Sequence, residues 1–191
     1  AIVEEVLKRL KPDENEKKKP LDTAKNRRKR TRAYLKIQDG CDLECSFCIV
    51  TIVRGEPVSY SREDVIEHAK QLIEKGYKEI VLTGVNLGSY SFDGSVTGHV
   101  PFDSTEKIPL QELLEEILSL GEGFRLRLSS INPENVNKGL IDFLDAEPRM
   151  CKHLHISLQT VSDLLLKSMK RPYDKQRIVE TFDYLEQTKN R

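Results

Sequence analysis

Four short segments with the composition of β-strands recur along this chain, separated by patterns typical of helices. The strand segments are AYLKIQ (33–38), KEIVLTG (78–84), FRLRLSSI (124–131) and KHLHISLQ (152–159). Strands that alternate with helices in this way favour right-handed βαβ units and a parallel sheet. The chain is therefore predicted to be an α/β protein with parallel strands.

The helical patterns have start and stop signals of their own. The first begins near Ser61, where SRED is a capping box, and ends at Gly76, a residue that commonly terminates helices. The others are predicted at LQELLEEILSL (110–120), from Pro133 in NPENVNKGLIDFLDA, and over residues 162–189 with a break at Pro172.

Three of the four strands alternate polar and apolar residues. In the fourth, His153, His155, Ser157 and Gln159 share one face, opposite a face of leucine and isoleucine. The inner strands of an open doubly wound sheet would instead be apolar on both faces. Helices on one face and a polar cavity on the other describe a barrel-like sheet, whose ligands are expected at the carboxyl ends of the strands.

The loop after the first strand, DGCDLECSFCIV (39–50), contains three cysteines, Cys41, Cys45 and Cys48. Incidental thiols rarely cluster in a polar loop. A structural zinc site needs four ligands, usually in two short pairs, so Cys151 or a distant histidine would have to complete it. A cubane iron–sulfur cluster held by three thiolates has one iron open, where a substrate can bind. The residues alone leave both metal sites possible.

Composition indicates the cellular compartment of the protein and its division into segments. The 191 residues include 31 Lys and Arg against 31 Asp and Glu, 32% charged and 38% hydrophobic residues, and no apolar run long enough to span a membrane. The uneven spacing of the four cysteines is not typical of a disulfide framework, which favours a reducing, cytoplasmic location. Residues 1–31 are predicted to be a basic linker after the tail of an upstream helix, and residues 32–191 to be the α/β domain.

The spacing C-x3-C-x2-C, with Phe47 directly before Cys48, resembles the motif of the radical S-adenosylmethionine (SAM) enzymes. This resemblance implies a partial (β/α)6 barrel in which Cys41, Cys45 and Cys48 hold a [4Fe-4S] cluster. It implies that the open iron binds S-adenosylmethionine, which one electron cleaves to a 5′-deoxyadenosyl radical. Because the chain starts without Met and ends within a helical pattern, the barrel is expected to be truncated.

Further stretches narrow the resemblance to the methylthiotransferases. They are RG (54–55), LTGVNLGSY (82–90), RLRLSSINPE (125–134), HLHISLQ (153–159) and MKRPY (169–173). Within the family, LSSI (128–131) favours the branch that adds a methylthio group at C2 of threonylcarbamoyl-adenosine 37 in transfer RNA.

The resemblance also implies residues that contact the cofactor. Phe47 corresponds to the aromatic residue near the adenine. Gly84 to Asn86 occupy the strand end that holds the methionyl amine, and Ser157 and Gln159 lie where the fourth strand meets the cofactor.

The implied partners are the tRNA anticodon loop, a flavodoxin- or ferredoxin-like electron donor and a sulfur source, with no membrane. Isopentenyl-adenosine 37 or a ribosomal protein is the substrate in sister branches. A metal-stabilised RNA-binding fragment without catalysis is an alternative of another class, which the basic stretch 17–36 favours. Four residues of the polar face have two interpretations, contact with the substituent on adenine N6 or pairing with acidic groups: Arg125, Arg127, His153 and His155.

Overall fold

A computed structural model describes residues 31–92 and 101–188. The elements in chain order are β1 (Arg32–Lys36), β2 (Gln38–Asp39), α1 (Val50–Arg54), β3 (Val58–Ser59), α2 (Arg62–Glu74), β4 (Glu79–Thr83), α3 (Pro109–Ser119), β5 (Arg125–Leu128), β6 (Ser130–Ile131), α4 (Lys138–Ala146), β7 (His155–Ile156), α5 (Asp163–Ser168) and α6 (Lys175–Thr188). Single 3-10 turns cover Leu87–Ser89 and Pro133–Asn135.

The central sheet is parallel, with strand order β1-β4-β5. Tyr34 pairs with Val81, and Val81 pairs with Arg127. The sheet continues past β5 through a parallel bridge between Leu126 and Met150, and β6 pairs in parallel with β7. The predicted parallel α/β architecture is confirmed, and within the described residues the strands form an open sheet rather than a closed barrel.

One face of this sheet forms the core together with the helices. Ala33 and Leu35 of β1 are buried while Tyr34 between them is exposed, as the alternating pattern predicts. Strand β4 is buried from Glu79 to Leu82, in agreement with its nearly continuous apolar sequence. Helices α2 and α3 contribute apolar stripes to the same cluster, so burial of one sheet face and two helix faces stabilises the fold.

The helix signals are largely confirmed. Ser61 Oγ accepts a hydrogen bond from the backbone N–H of Asp64 at 3.1 Å, and Gly76 follows α2 with φ +82°. The predicted break at Pro172 is also present, because α5 ends at Ser168 and α6 begins at Lys175.

Several bounds differ from the sequence-based prediction. Helix α4 begins at Lys138 instead of near Pro133, because Asn137 caps it through a hydrogen bond from the Leu140 N–H at 2.8 Å. The first and third predicted strands each divide into two parts, and the fourth shortens to β7. The division of the first strand matters for the site, because its second part, β2, leaves the main sheet to pair with β3.

The predicted upstream helix tail and residues 17–30 of the basic stretch lie outside the described residues. Among the helices of 31–92 and 101–188, none is both long and apolar enough to cross a bilayer.

Candidate metal centre

The cysteine loop lies at the carboxyl end of β1, and a two-stranded antiparallel ladder closes its base. Gln38 pairs with Ser59 and Asp39 with Val58. The backbone N–H of Cys41 donates to the carbonyl of Gly55 at 3.1 Å. The two ends of the loop are therefore held together by backbone pairing. This pairing keeps the cysteines at the edge of the sheet where ligands are expected.

The three thiols differ in exposure and none forms a disulfide. Cys45 is buried, Cys41 is partly buried and Cys48 is exposed. Among the described residues, no group of three Cys, His, Asp or Glu side chains is already arranged around a metal position.

Electrostatics at the loop suits a cation. Burial raises the pKa of the Cys41 thiol, and Asp42 and the other two cysteines raise it further, against a hydrogen bond from the Leu43 N–H. Crowded thiolates repel one another, whereas a metal centre stabilises them by its positive charge. The donor chemistry of the loop therefore fits a thiolate-ligated metal, and Cys41, Cys45 and Cys48 are the residues that would hold it.

The end of β4 is joined to the cysteine loop by one buried amide. Gln38 Oε1 accepts a hydrogen bond from the Asn86 N–H at 2.8 Å, while Gln38 Nε2 donates to the carbonyl of Gly40 at 2.9 Å. A Cβ on Gly84 would lie 2.9 Å from Gln38 Oε1. The structure thus brings the predicted residues Gly84 and Asn86 to the base of the cysteine loop.

Neither Gly84 nor Gly88 has a positive φ, so neither is needed for a tight turn. A Cβ on Gly88 would lie 2.1 Å from the Cβ of Asn135. Both glycines provide space instead, because Gln38 and Asn135 pack directly against them.

The residues after β7 reach the same edge of the sheet. The Ser157 N–H donates to the carbonyl of Ile131 at 2.9 Å, which extends the pairing of β6 with β7. The Ser157 carbonyl accepts from Tyr173 Oη at 3.2 Å. Gln159 is exposed and adopts φ +62°, a left-handed conformation that is uncommon for a residue other than glycine.

Arg171 is the residue of this site that sequence analysis did not assign. Its Nη1 lies 3.2 Å from Cys45 Sγ, and its Nη2 donates to Asn132 Oδ1 at 3.0 Å. The stretch MKRPY was a signal for this segment, but only as part of the family resemblance. Its backbone also touches the cysteine loop, because the Ser46 N–H donates to the Met169 carbonyl at 3.2 Å.

Phe47 lies on the rim of the site, with 53% of its surface exposed. It is adjacent to Cys48 in the chain.

Two of the four polar-face residues are committed to an ion-pair cluster. Glu79 Oε2 lies 2.7 Å from Arg125 Nη2, and Glu79 Oε1 lies 2.8 Å from Arg127 Nε and 2.6 Å from Arg32 Nε. Arg32, Glu79 and Arg125 each begin their strand, so the cluster lies at the amino edge of the sheet, away from the cysteine loop. This pairing agrees with the acidic-partner interpretation.

The two histidines make local contacts. His155 Nδ1 and Ser130 Oγ of the neighbouring strand lie 3.1 Å apart. His153 is exposed beside a groove that Leu154, Phe182 and Leu185 also line.

The parallel sheet with a three-cysteine loop after its first strand defines a known class of enzyme. The model of the Radical SAM superfamily matches residues 35–189, and the chain belongs to this superfamily. The cofactors of the class are a [4Fe-4S] cluster and S-adenosylmethionine, as predicted.

Individual relatives agree with the predicted resemblance to methylthiotransferases. The "Threonylcarbamoyladenosine tRNA methylthiotransferase MtaB" of Thermotoga maritima is 41% identical over 155 residues, which cover 79% of this chain and 33% of the relative. A "tRNA-2-methylthio-N(6)-dimethylallyladenosine synthase" of Malacoplasma penetrans is 31% identical over 154 residues, covering 81% of this chain and 30% of the relative. This chain thus spans about a third of the length of the curated relatives it matches.

Solved structures agree on the fold. The radical S-adenosylmethionine methyltransferase TsrM of Kitasatospora setae, with cobalamin and a [4Fe-4S] cluster bound, has a TM-score of 0.58 and 14% identity. The match covers 82% of this chain and 29% of that one.

Proposed function

We propose that this chain supplies the radical S-adenosylmethionine part of a tRNA methylthiotransferase. The observation that carries the proposal is the position of Cys41, Cys45 and Cys48 in one closed loop at the carboxyl edge of a parallel sheet. In this class of enzyme the cluster, when bound, supplies the electron that cleaves S-adenosylmethionine.

The chain's own residues then bind and orient the cofactor. Three cysteines hold the cluster. Gly84 and Asn86 lie at the base of the same loop and are proposed to receive the methionyl end of S-adenosylmethionine. Ser157 and Gln159, which follow β7, are proposed to contact the cofactor from the same edge of the sheet.

Phe47 is proposed to pack against the adenine, because its ring is exposed beside Cys48. An aromatic face provides a stacking surface for a base.

The proposed substrate is threonylcarbamoyl-adenosine 37 of tRNA, to which a methylthio group is added at C2. The 41% identity to a protein named for this reaction supports it. A sister substrate, dimethylallyl-adenosine, is the second candidate because a relative named for it is 31% identical. Position 37 lies in the single-stranded anticodon loop, so the base can be unstacked at modest cost.

The remaining partners and the cellular location follow from this proposal. A flavodoxin- or ferredoxin-like protein is proposed as the electron donor, together with a separate sulfur source. The cytoplasm is the proposed compartment because tRNA is modified there. The basic residues 17–30 are proposed to contact tRNA phosphates.

Mass spectrometry of tRNA nucleosides tests the proposed substrate. Cells that lack the gene for this chain should lose the methylthio group from threonylcarbamoyl-adenosine, and the wild-type gene but not a Cys45→Ala gene should restore it. Loss from dimethylallyl-adenosine instead would move the protein to the sister branch, and no change in either nucleoside would overturn the proposal.

Iron and sulfide analysis tests the proposed ligands. Cys41→Ala, Cys45→Ala and Cys48→Ala should each abolish iron binding after anaerobic reconstitution, because a cluster held by three thiolates has no spare ligand. Cys151→Ala is the matched control, since Cys151 is also buried but lies beside the ion-pair cluster of Glu79 and Arg127. Iron binding that depends on Cys151 would favour a four-ligand site.

A further inference from the structure

We propose that Arg171 is a positioning residue for the metal centre, which orients the Cys45 ligand and raises the reduction potential of the cluster. This inference rests on the proposed role of the three cysteines. Its observation is the hydrogen bond from Arg171 Nη1 to Cys45 Sγ, 3.2 Å long, between residues 126 positions apart in the chain.

The guanidinium of Arg171 is fixed from several sides. Besides Cys45 it donates to Asn132 Oδ1 at 3.0 Å, to Tyr173 Oη at 3.2 Å and to the Ser157 carbonyl at 3.4 Å. Each partner comes from a different part of the polypeptide, and a planar guanidinium can satisfy such divergent acceptors at once. The donor aimed at Cys45 is therefore preorganised.

A buried carboxyl group adds a favourable charge. Glu134 is buried, with 3% of its surface exposed. Its charge interacts favourably with that of Arg171. A buried carboxylate needs a compensating cation, so Glu134 gives the guanidinium a further reason to stay in place.

The backbone around Arg171 is held in the same region. The Arg171 N–H donates to the Leu166 carbonyl at 2.9 Å, and Lys170 before it has φ +54°. Together with the Ser46–Met169 hydrogen bond, these contacts dock the segment onto the cysteine loop. Arg171 thus differs from an exposed arginine whose side chain samples many rotamers.

Hydrogen bonds to a thiolate ligand withdraw electron density from sulfur. They favour the more negative, reduced state of an iron–sulfur centre, which raises its potential, and they also keep the ligand oriented. A charged donor strengthens both effects. The first electron-accepting step of the proposed enzyme would therefore depend on Arg171.

The experiment compares Arg171→Met and Arg171→Lys with the wild-type full chain, reconstituted anaerobically with iron and sulfide. A redox titration followed by electron paramagnetic resonance gives the midpoint potential, and competition with a chelator gives the iron affinity. Arg171→Met should shift the potential to a lower value and weaken iron binding about 10–100-fold. Arg171→Lys keeps a charged donor and should show a smaller change in both the potential and the iron affinity. If the Met variant does not fold, the potential and iron affinity of the Lys variant test the inference.

Arg149→Met is the matched control. Arg149 Nη1 donates to the carbonyls of Leu118 and Gly121 at 2.7 and 2.8 Å, so its loss also removes hydrogen bonds of a partly buried guanidinium. It should lower the unfolding temperature without moving the potential.

A potential and iron affinity in the Arg171 variants equal to those of the wild type, or a shift matched by Arg149→Met, would overturn the inference alone. A wild-type chain that binds no iron would instead overturn the proposed metal site, and this inference with it.

Discussion

Glu79 has a structural role that the strand pattern did not predict, because it pairs with three arginines. Its carboxylate is buried at the start of β4 and receives three arginine side chains from the adjacent strands. Although burial alone would raise the pKa of Glu79, hydrogen bonds from Arg127 and Arg125 lower it below its ordinary value. The arginines that faced the predicted cavity are thereby occupied in holding the amino edge of the sheet.

Replacement of Glu79 by Gln tests this role through pH. A carboxyl whose pKa is lower in the folded than in the unfolded state stabilises the fold above its unfolded pKa, and loses that effect as pH falls through the folded pKa. Glu79→Gln should therefore cost about 1–3 kcal/mol of unfolding free energy near neutral pH. The difference from the wild type should shrink as the pH drops below the ordinary carboxyl value of 4.5.

Urea unfolding at neutral and acidic pH gives the comparison. Glu115→Gln is the control, because Glu115 pairs with Lys107 at 2.7 Å on an exposed surface and should contribute less than about 1 kcal/mol. An equal cost of Glu79→Gln at both pH values would contradict the assignment.

At the scale of elements, the short ladder of β2 and β3 closes the base of the cysteine loop. Gly40 at its end has φ +72°, and a Cβ there would lie 2.0 Å from the carbonyl oxygen of Glu56. No L side chain fits unless the two strands move apart. The shape of the cysteine loop therefore depends on the backbone of Gly40, which is not one of the proposed ligands.

Gly40→Ala should lower both stability and iron binding. Left-handed strain costs about 1–3 kcal/mol and the contact with Glu56 adds to it. Gly76→Ala is the matched control: Gly76 has a similar φ of +82°, but nothing lies within 4 Å of its added Cβ.

Thermal unfolding and iron analysis of the two variants separate backbone strain from loop closure. Gly76→Ala should cost only about 1–2 kcal/mol and keep full iron binding. Wild-type iron content in Gly40→Ala would show that the ladder is not needed to shape the site.

At the scale of the whole molecule, the polar groups of the candidate site come from the ends of several strands. The loop after β1, Asn86 after β4, Asn132 after β6 and Ser157 after β7 meet through the side chains of Gln38 and Arg171. A parallel sheet brings its carboxyl ends to one edge, and this is why groups so far apart in the chain can meet there.

Local chemistry made much of the fold and of the candidate site predictable from the sequence. The three cysteines lie within eight residues, the Ser61 cap acts on Asp64, and the period-two alternation of β1 and β5 separates a buried from a polar face. Each of these signals involves neighbours in the chain, whose relation hardly depends on the rest of the fold. The strand–helix order, and with it the parallel sheet, follows from the same short-range patterns.

Long-range contacts were decided by tertiary structure. Arg171 and Cys45 are 126 positions apart, and Glu79 and Arg127 are 48 apart. Nothing in an arginine's own neighbourhood tells whether it will meet a carboxylate, a thiol or water. Apolar burial brings the strands together without preference for direction, and only the resulting register sets which polar side chains face each other. That is why the sequence pointed to the proposed metal ligands Cys41, Cys45 and Cys48, while the hydrogen bond of Arg171 to Cys45 became visible only in the folded chain.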